Sequence, residues 1–223
     1  IRGKLRLGII PTLSPYLLPM FVTSFLDTYP EVNLIVEEIL SDQIIYKLKN
    51  DLLDVGLLVS PLDDTQVMEI PLFYEVFVLY TAADKPLFKK SKIQFSDLDL
   101  NELWLLEEGH CFRSQVINIC EKTQPTADRQ LRFESGSLET LRRIVDRQSG
   151  YTLLPELATL ELNEEDYKKV RHFSNPQPVR EVSLVTHRSF MKRHLIQLLK
   201  ENILANIPDI LKDSERGKLI KWK

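Results

Sequence analysis

The first hundred residues alternate between runs with the period of a strand and runs with the period of a helix, and no other feature constrains the fold more. Leu5–Ile10 reads as a short buried strand. Ser14 then stands where a helix N-cap belongs, with Pro15 at the first helical position. Leu17, Leu18, Phe21, Val22, Phe25 and Leu26 recur at helical spacing until Tyr29-Pro30 stops the run. Val32–Leu40 reads as the next strand, Ser41 caps a helix carrying Ile44, Ile45 and Leu48, and Val55–Val59 is a third strand. Parallel strands need crossover connections, so this order predicts a mostly parallel sheet with helices on both faces.

Pro71–Thr81 is extended and rich in aromatic and β-branched residues, and a second set of signals follows from about Phe95. Trp104–Leu106, Gln130–Phe133 and Tyr151–Leu154 read as strands, and Arg180–His187 as a longer one. Cys111–Lys122, Ser137–Gln148 (ended by Gly150) and Met191–Asn206 read as helices. Two extended stretches, near 74–82 and 178–187, can serve as paired crossings. The expected fold is α/β: two Rossmann-like lobes joined by two crossover strands, with a ligand cleft at the carboxyl ends of the strands between them. Lobe I takes 1–75, lobe II takes 76–178, and 179–223 returns to lobe I. The last residues, Lys218-Leu-Ile-Lys-Trp-Lys223, read as a frayed tail.

With 223 residues, 43% of them hydrophobic, the chain can bury a sizeable core. No apolar run reaches the ~20 residues of a membrane span, and no signal peptide is read at the start, so a cytoplasmic protein is expected. The chain opens directly in a strand, as an excised domain does. A net charge of −3 argues against this polypeptide binding a nucleic-acid backbone over a broad face. Two Cys and four His (His110, His172, His187, His194) show no metal-ligand spacing, and no metal or cofactor is expected. Nucleophile-elbow, Walker A and dinucleotide-turn motifs are missing, and seven glycines leave little for phosphate-cradling loops.

The chemistry that remains lies in Gly109-His110-Cys111-Phe112-Arg113 and in Cys120. Cys111 opens a predicted helix beside His110 and Arg113, and a helix N-terminus with nearby cations favours the thiolate. Cys120 lies toward the other end, where the dipole disfavours it, so Cys111 is expected to attack and Cys120 to resolve. Nine residues on a continuous helix span ~13.5 Å, whereas a disulfide needs Cα atoms within roughly 7 Å. The pair therefore bonds only if the helix unwinds, and a loop-closure contribution of about 2.7 kcal/mol makes that bond comparatively reducible. Two unrelated buried thiols fit the same spacing.

Glu107-Glu-Gly-His-Cys111-Phe-Arg with Cys120 resembles the redox segment of the OxyR group, the peroxide-sensing members of the LysR-type transcriptional regulators. Ile10-Pro-Thr-Leu-Ser-Pro-Tyr-Leu-Leu-Pro19, Ser137-Leu-Glu-Thr-Leu-Arg142 and Ser149-Gly-Tyr-Thr-Leu-Leu-Pro155 agree in order along the chain. Other LysR-type effector domains share the first and last patterns but not the cysteine pair.

The resemblance implies a regulatory domain like the type 2 periplasmic binding proteins, without the N-terminal winged helix-turn-helix. It implies a peroxidatic Cys111 and a resolving Cys120, with a redox segment at 109–124. Its peroxide pocket falls on Thr12, Ser41 and His110, with Arg113 beside them, and Arg180 contacts the reduced cysteine. Ser41 stands where threonine is usual and Ser114 where aspartate is common. The implied protein is a stoichiometric sensor of hydrogen peroxide, not a turnover enzyme. It associates as a dimer, and as a tetramer at full length, through helices Tyr16–Thr28 and Ser137–Gln148. It reaches DNA only through the N-terminal domain and is reset by a thiol reductant such as glutaredoxin or thioredoxin. A LysR-type domain that binds a small organic effector in the interlobe cleft, with inert cysteines, is the alternative.

Overall fold

The computed structural model of the chain describes residues 2–120, 136–189 and 193–221. In chain order the elements are β1 (Gly3–Ile9), α1 (Ser14–Thr28), β2 (Val32–Glu38), α2 (Ser41–Lys49), β3 (Val55–Ser60), β4 (Val67–Thr81) and β5 (Lys92–Ile93). They continue with α3 (Cys111–Ile119), α4 (Leu138–Gln148), β6 (Tyr151–Pro155), α5 (Glu164–Tyr167), β7 (Val170–Phe173), β8 (Pro178–His187), α6 (Arg193–Asn206) and β9 (Lys218–Leu219). The chain divides into two compact units, Ile1–Tyr74 with Glu181–Glu215 and Glu75–Arg180 with Arg216–Lys223, so β4 and β8 each run from one unit into the other.

In the first unit Leu5, Leu7 and Ile9 of β1 alternate with Lys4, Arg6 and Gly8, and all three apolar side chains are fully buried. β1 pairs in parallel with β2 on one side and β3 on the other. Every residue of β3 is buried, as its continuous apolar run requires, and β8 closes that side antiparallel, from Gly56↔Val185 to Ser60↔Glu181. α1 supplies the first crossover and turns Leu17, Phe21 and Phe25 inward at fourfold spacing. It is joined to α6 by a hydrogen bond from Asn202 Nδ2 to Ser24 Oγ, 3.1 Å. Arg6 binds both carboxylate oxygens of the buried Asp54, at 2.9 and 3.2 Å, and so fastens β1 to the start of β3.

In the second unit β4 lies between β6 and β7, antiparallel to both, and the two-residue β5 extends the sheet in parallel with β7. The Ser137 hydroxyl caps α4 by accepting from Thr140 N at 3.2 Å, and Leu138, Leu141 and Val145 line its buried face. Arg142 on the same helix binds Glu139 and Asp166.

Several local expectations are corrected. Ser14 and Ser41 are the first helical residues, not N-caps, and neither helix has a side-chain cap bond from its cap residue. Trp104–Leu106 is irregular, with one isolated bridge at Leu103↔Tyr151 and a hydrogen bond from Trp104 N to Tyr151 O. The predicted strand Gln130–Phe133 lies outside the described residues, as do 121–124 of the redox segment. The tail is not frayed through Lys221, because β9 pairs with Pro178 and Val179. Residues 216–221 accordingly cluster with the second unit and not, as expected for 179–223, with the first.

Candidate functional site

Cys111 is the first residue of α3, 4% exposed, and Cys120 is its cap residue, 8% exposed; neither is in a disulfide. The helix begins here because His110 is extended (φ −79°, ψ 122°) and its carbonyl accepts from Arg113 N at 3.0 Å. Cys111 therefore sits in the first turn, among amides with no intrahelical partner and at the positive end of the dipole, which favours an anion there. Cys120 has the opposite setting: burial pushes its thiol up from 9.0 to about 11. The helix N-terminus thus favours an anion at Cys111, whereas burial disfavours the thiolate of Cys120.

His110 is buried beside Cys111, with Nε2 3.6 Å from Glu107 Oε1. Gly136 lies against its ring, where a Cβ would come within 2.8 Å of Nε2, so this position admits no side chain without moving the imidazole. Arg113 donates to the Leu106 carbonyl at 2.8 Å, which ties the first turn of α3 to the preceding loop. Arg180 is fully buried, and its guanidinium lies 5.2 Å from the ring centroid of Phe112, the neighbour of Cys111. The Phe112 ring packs in turn on Phe77, 5.1 Å away.

The structure adds Glu75, which the sequence reading did not single out. Glu75 is also fully buried, and its Oε1 accepts from Arg180 Nε at 2.8 Å and Nη2 at 2.7 Å. Its Oε2 accepts from Leu157 N at 3.1 Å. Burial pushes the Glu75 carboxyl up against the pull of Arg180 and of that amide. The only signal in the sequence is a lone acid inside the apolar run Phe73-Tyr-Glu-Val-Phe-Val-Leu-Tyr80.

Cys111, His110, Arg113 and Arg180 belong to the second unit, while Thr12 and Ser41 belong to the first. Thr12 follows β1 and Ser41 follows β2, at the carboxyl ends of adjacent parallel strands, and both are buried. The Ser41 hydroxyl has no hydrogen-bond partner among the described residues. Since it does not cap α2, it is a donor free for another use. Among the described residues no group of three His, Cys, Asp or Glu is placed to hold a metal ion, and no helix is long and apolar enough to cross a membrane.

Residues 1–207 match the family described as LysR substrate binding domain. The chain belongs to that family. This LysR domain is 35% identical over 183 residues to a hydrogen peroxide-inducible genes activator of Pectobacterium carotovorum, covering 82% of this chain and 60% of the relative. It is 33% identical over 205 residues to the DNA-binding transcriptional dual regulator OxyR of Escherichia coli K12, covering 92% and 67%. Among solved structures, OxyR from Porphyromonas gingivalis superposes with a TM-score of 0.90 at 28% identity, over 98% of this chain and 99% of that one. The reduced OxyR regulatory domain of Pseudomonas aeruginosa does so with 0.80 at 33% identity, over 91% and 97%. The expected α/β fold of an OxyR-like regulatory domain is thus established, and the LysR domain spans 60% and 59% of the length of two curated relatives it matches.

Proposed function

We propose that this LysR domain is the hydrogen-peroxide-sensing part of a cytoplasmic transcriptional regulator and works stoichiometrically, without turnover. The single observation that carries the reading is the pair of buried thiols, joined by no disulfide, at opposite ends of α3, with burial pushing that of Cys120 up. The Cys111 thiolate attacks one peroxide oxygen; the O–O bond breaks, hydroxide leaves and takes up a proton, and Cys111 becomes a sulfenic acid. The Cys120 thiol then attacks that sulfur, the S–O bond breaks, and a second water leaves with formation of the Cys111–Cys120 disulfide. Two thiols and one peroxide become one disulfide and two waters.

Donors that stabilise the departing hydroxide accelerate the first step. His110, Arg180 and the hydroxyls of Thr12 and Ser41 are assigned that role, with Arg113 holding the turn on which Cys111 sits. Unwinding of α3 changes how regulatory domains pack as dimers and tetramers, with α1 and α4 as interface helices. A DNA-binding domain N-terminal to this one reads the change, and a thiol reductant of the glutaredoxin or thioredoxin class reverses it.

Two variants test the reading. Stopped-flow mixing with peroxide should show rapid consumption that Cys111→Ser abolishes. Cys120→Ser should accumulate a sulfenic acid trappable with dimedone. Equal rates in wild type and Cys111→Ser would overturn the sensor assignment and leave the organic effector as the ligand to seek by thermal shift.

A further inference from the structure

α3 is tied to the C-terminal segment of the chain from the middle of its length. Gln115 Nε2 donates to the Ile220 carbonyl at 2.7 Å, and Asn118 Nδ2 donates to the Lys221 carbonyl at 2.8 Å. The two residues are three apart and so share one face of the helix. The segment they hold is itself fastened upstream. Arg216 binds Glu156 through two nitrogens at 2.5 and 2.7 Å. Lys218 N donates to Gln177 O at 2.7 Å, Ile220 N donates to Val179 O at 2.8 Å, and Ile220 is buried. At Gly217 the approach to β8 is so close that a Cβ would stand 2.1 Å from Gln177 O.

This arrangement and the disulfide exclude one another. Joining Cys111 to Cys120 brings Cα atoms from ~13.5 Å to within about 7 Å, which unwinds the turns that carry Gln115 and Asn118. Their amides then no longer share the face that reaches Ile220 and Lys221. We propose that Gln115 and Asn118 are positioning residues for the disulfide step: they use segment 216–221 as a latch that holds α3 helical, oxidation releases the latch, and its strength sets how readily the disulfide forms. The proposal rests on the sensor reading above. Its reciprocal follows from linkage: a contact made only in the reduced state disfavours the disulfide by as much as the disulfide disfavours the contact. The buried Gln115 Oε1 has no hydrogen-bond partner among the described residues, a desolvation cost that subtracts from the latch.

The test is hydrogen exchange of the Lys218 and Ile220 amides before and after peroxide, with the disulfide verified by mass mapping, alongside a glutathione redox titration. In that titration two thiols and one oxidised glutathione become the disulfide and two reduced glutathiones. Oxidation of the wild type is expected to speed exchange at both amides at least tenfold. Gln115→Leu with Asn118→Ala should favour the disulfide about tenfold, from the loss of two hydrogen bonds of ordinary net strength, a shift of about 30 mV to more negative potential. Asn118→Ala alone, at an exposed bond, guards against a misfolded double variant and should move the potential in the same direction by a smaller amount. Both variants should lower the Tm of the reduced form and leave that of the oxidised form unchanged, which a general loss of packing would not do. If the mapped disulfide forms while exchange at 218 and 220 is unaltered, or if the potential does not move, the latch is wrong and the sensor reading stands. If no Cys111–Cys120 disulfide forms, both fall.

Discussion

Replacing Glu75 with alanine removes the counter-charge of an arginine that has no exposed surface. Glu75 Oε1 takes two guanidinium hydrogen bonds, at 2.8 and 2.7 Å, and Oε2 takes the Leu157 amide at 3.1 Å. Truncation leaves a buried cation without its carboxylate, a loss of about 3–5 kcal/mol, and an amide without its acceptor, about 1–3 kcal/mol taken alone. The two losses share one site and do not add, so about 3–5 kcal/mol in total is expected. Replacing both partners, Glu75→Leu with Arg180→Met, removes the charge along with its partner and should recover all but about 1–2 kcal/mol. Urea unfolding followed by far-UV circular dichroism measures each corner of the cycle, with unchanged slopes required for the comparison. Lys90→Ala is the control: its pair with Asp97 is at the surface (side chains 46% and 20% exposed) and should cost at most about 1 kcal/mol. A Glu75→Ala loss below about 1 kcal/mol, or a double variant no better than the single, would refute the reasoning that this pair holds Arg180 against Phe112.

Two further outcomes follow from the thiols and the hydroxyl near them. Because the folded-state pKa of Cys120 is raised from 9.0 to about 11, its contribution to stability is fully present below pH 9 and is lost as the pH climbs through 11; the difference in unfolding free energy between wild type and Cys120→Ala should shrink by about 2–3 kcal/mol over that window, and a flat difference would contradict the burial argument. Ser41→Ala removes a buried hydroxyl with no partner among the described residues, so stability should hold or rise slightly while peroxide consumption slows; a stability loss above about 1 kcal/mol would show that the hydroxyl is structural.

How much of this could be read beforehand depended on whether the partner of each residue was near it in sequence. β1 through β3, with α1 and α2, were legible because each apolar run carries its own period and is closed by a nearby stop such as Tyr29-Pro30. The start of α3 was legible for the same reason, since Gly109-His110-Cys111 is local. β7 was not: Val-Arg-His-Phe is four residues with two polar ones, and it becomes a strand because β4, ninety residues earlier, offers an edge from Val78 to Tyr80. β9 was missed likewise, since Lys-Leu-Ile-Lys looks like a solvated end until Pro178 and Val179 stand beside it. Trp104–Leu106 erred the other way, its apolar side chains mimicking a strand although the isolated bridge nearby is at Leu103, before the segment. Glu75 shows the limit most sharply, because a carboxylate in an apolar run can be explained only by Arg180, 105 positions on.

The same distinction explains why α3 suits the unwinding role proposed for it. Taken alone it is a poor helix: nine residues, no side-chain bond at its cap, no acid in the first turn and no base in the last. Val116, Ile117 and Ile119 are β-branched, and an isolated helix of that length is marginal even with better residues. Its helicity is therefore held from outside, by Phe112 against Phe77 and Arg180 at one end and by Gln115 and Asn118 on the C-terminal segment along its length. Contacts of this kind vanish together once the turns are lost, so the proposed release passes between two discrete arrangements with little in between. A helix stabilised by its own sequence would resist a disulfide whose loop closure contributes only about 2.7 kcal/mol. A helix stabilised by a few removable contacts sets that small contribution against a cost of similar size. On the sensor reading proposed above, that near-balance lets a pair of thiols nine residues apart be oxidised by peroxide and reduced again by a thiol reductant.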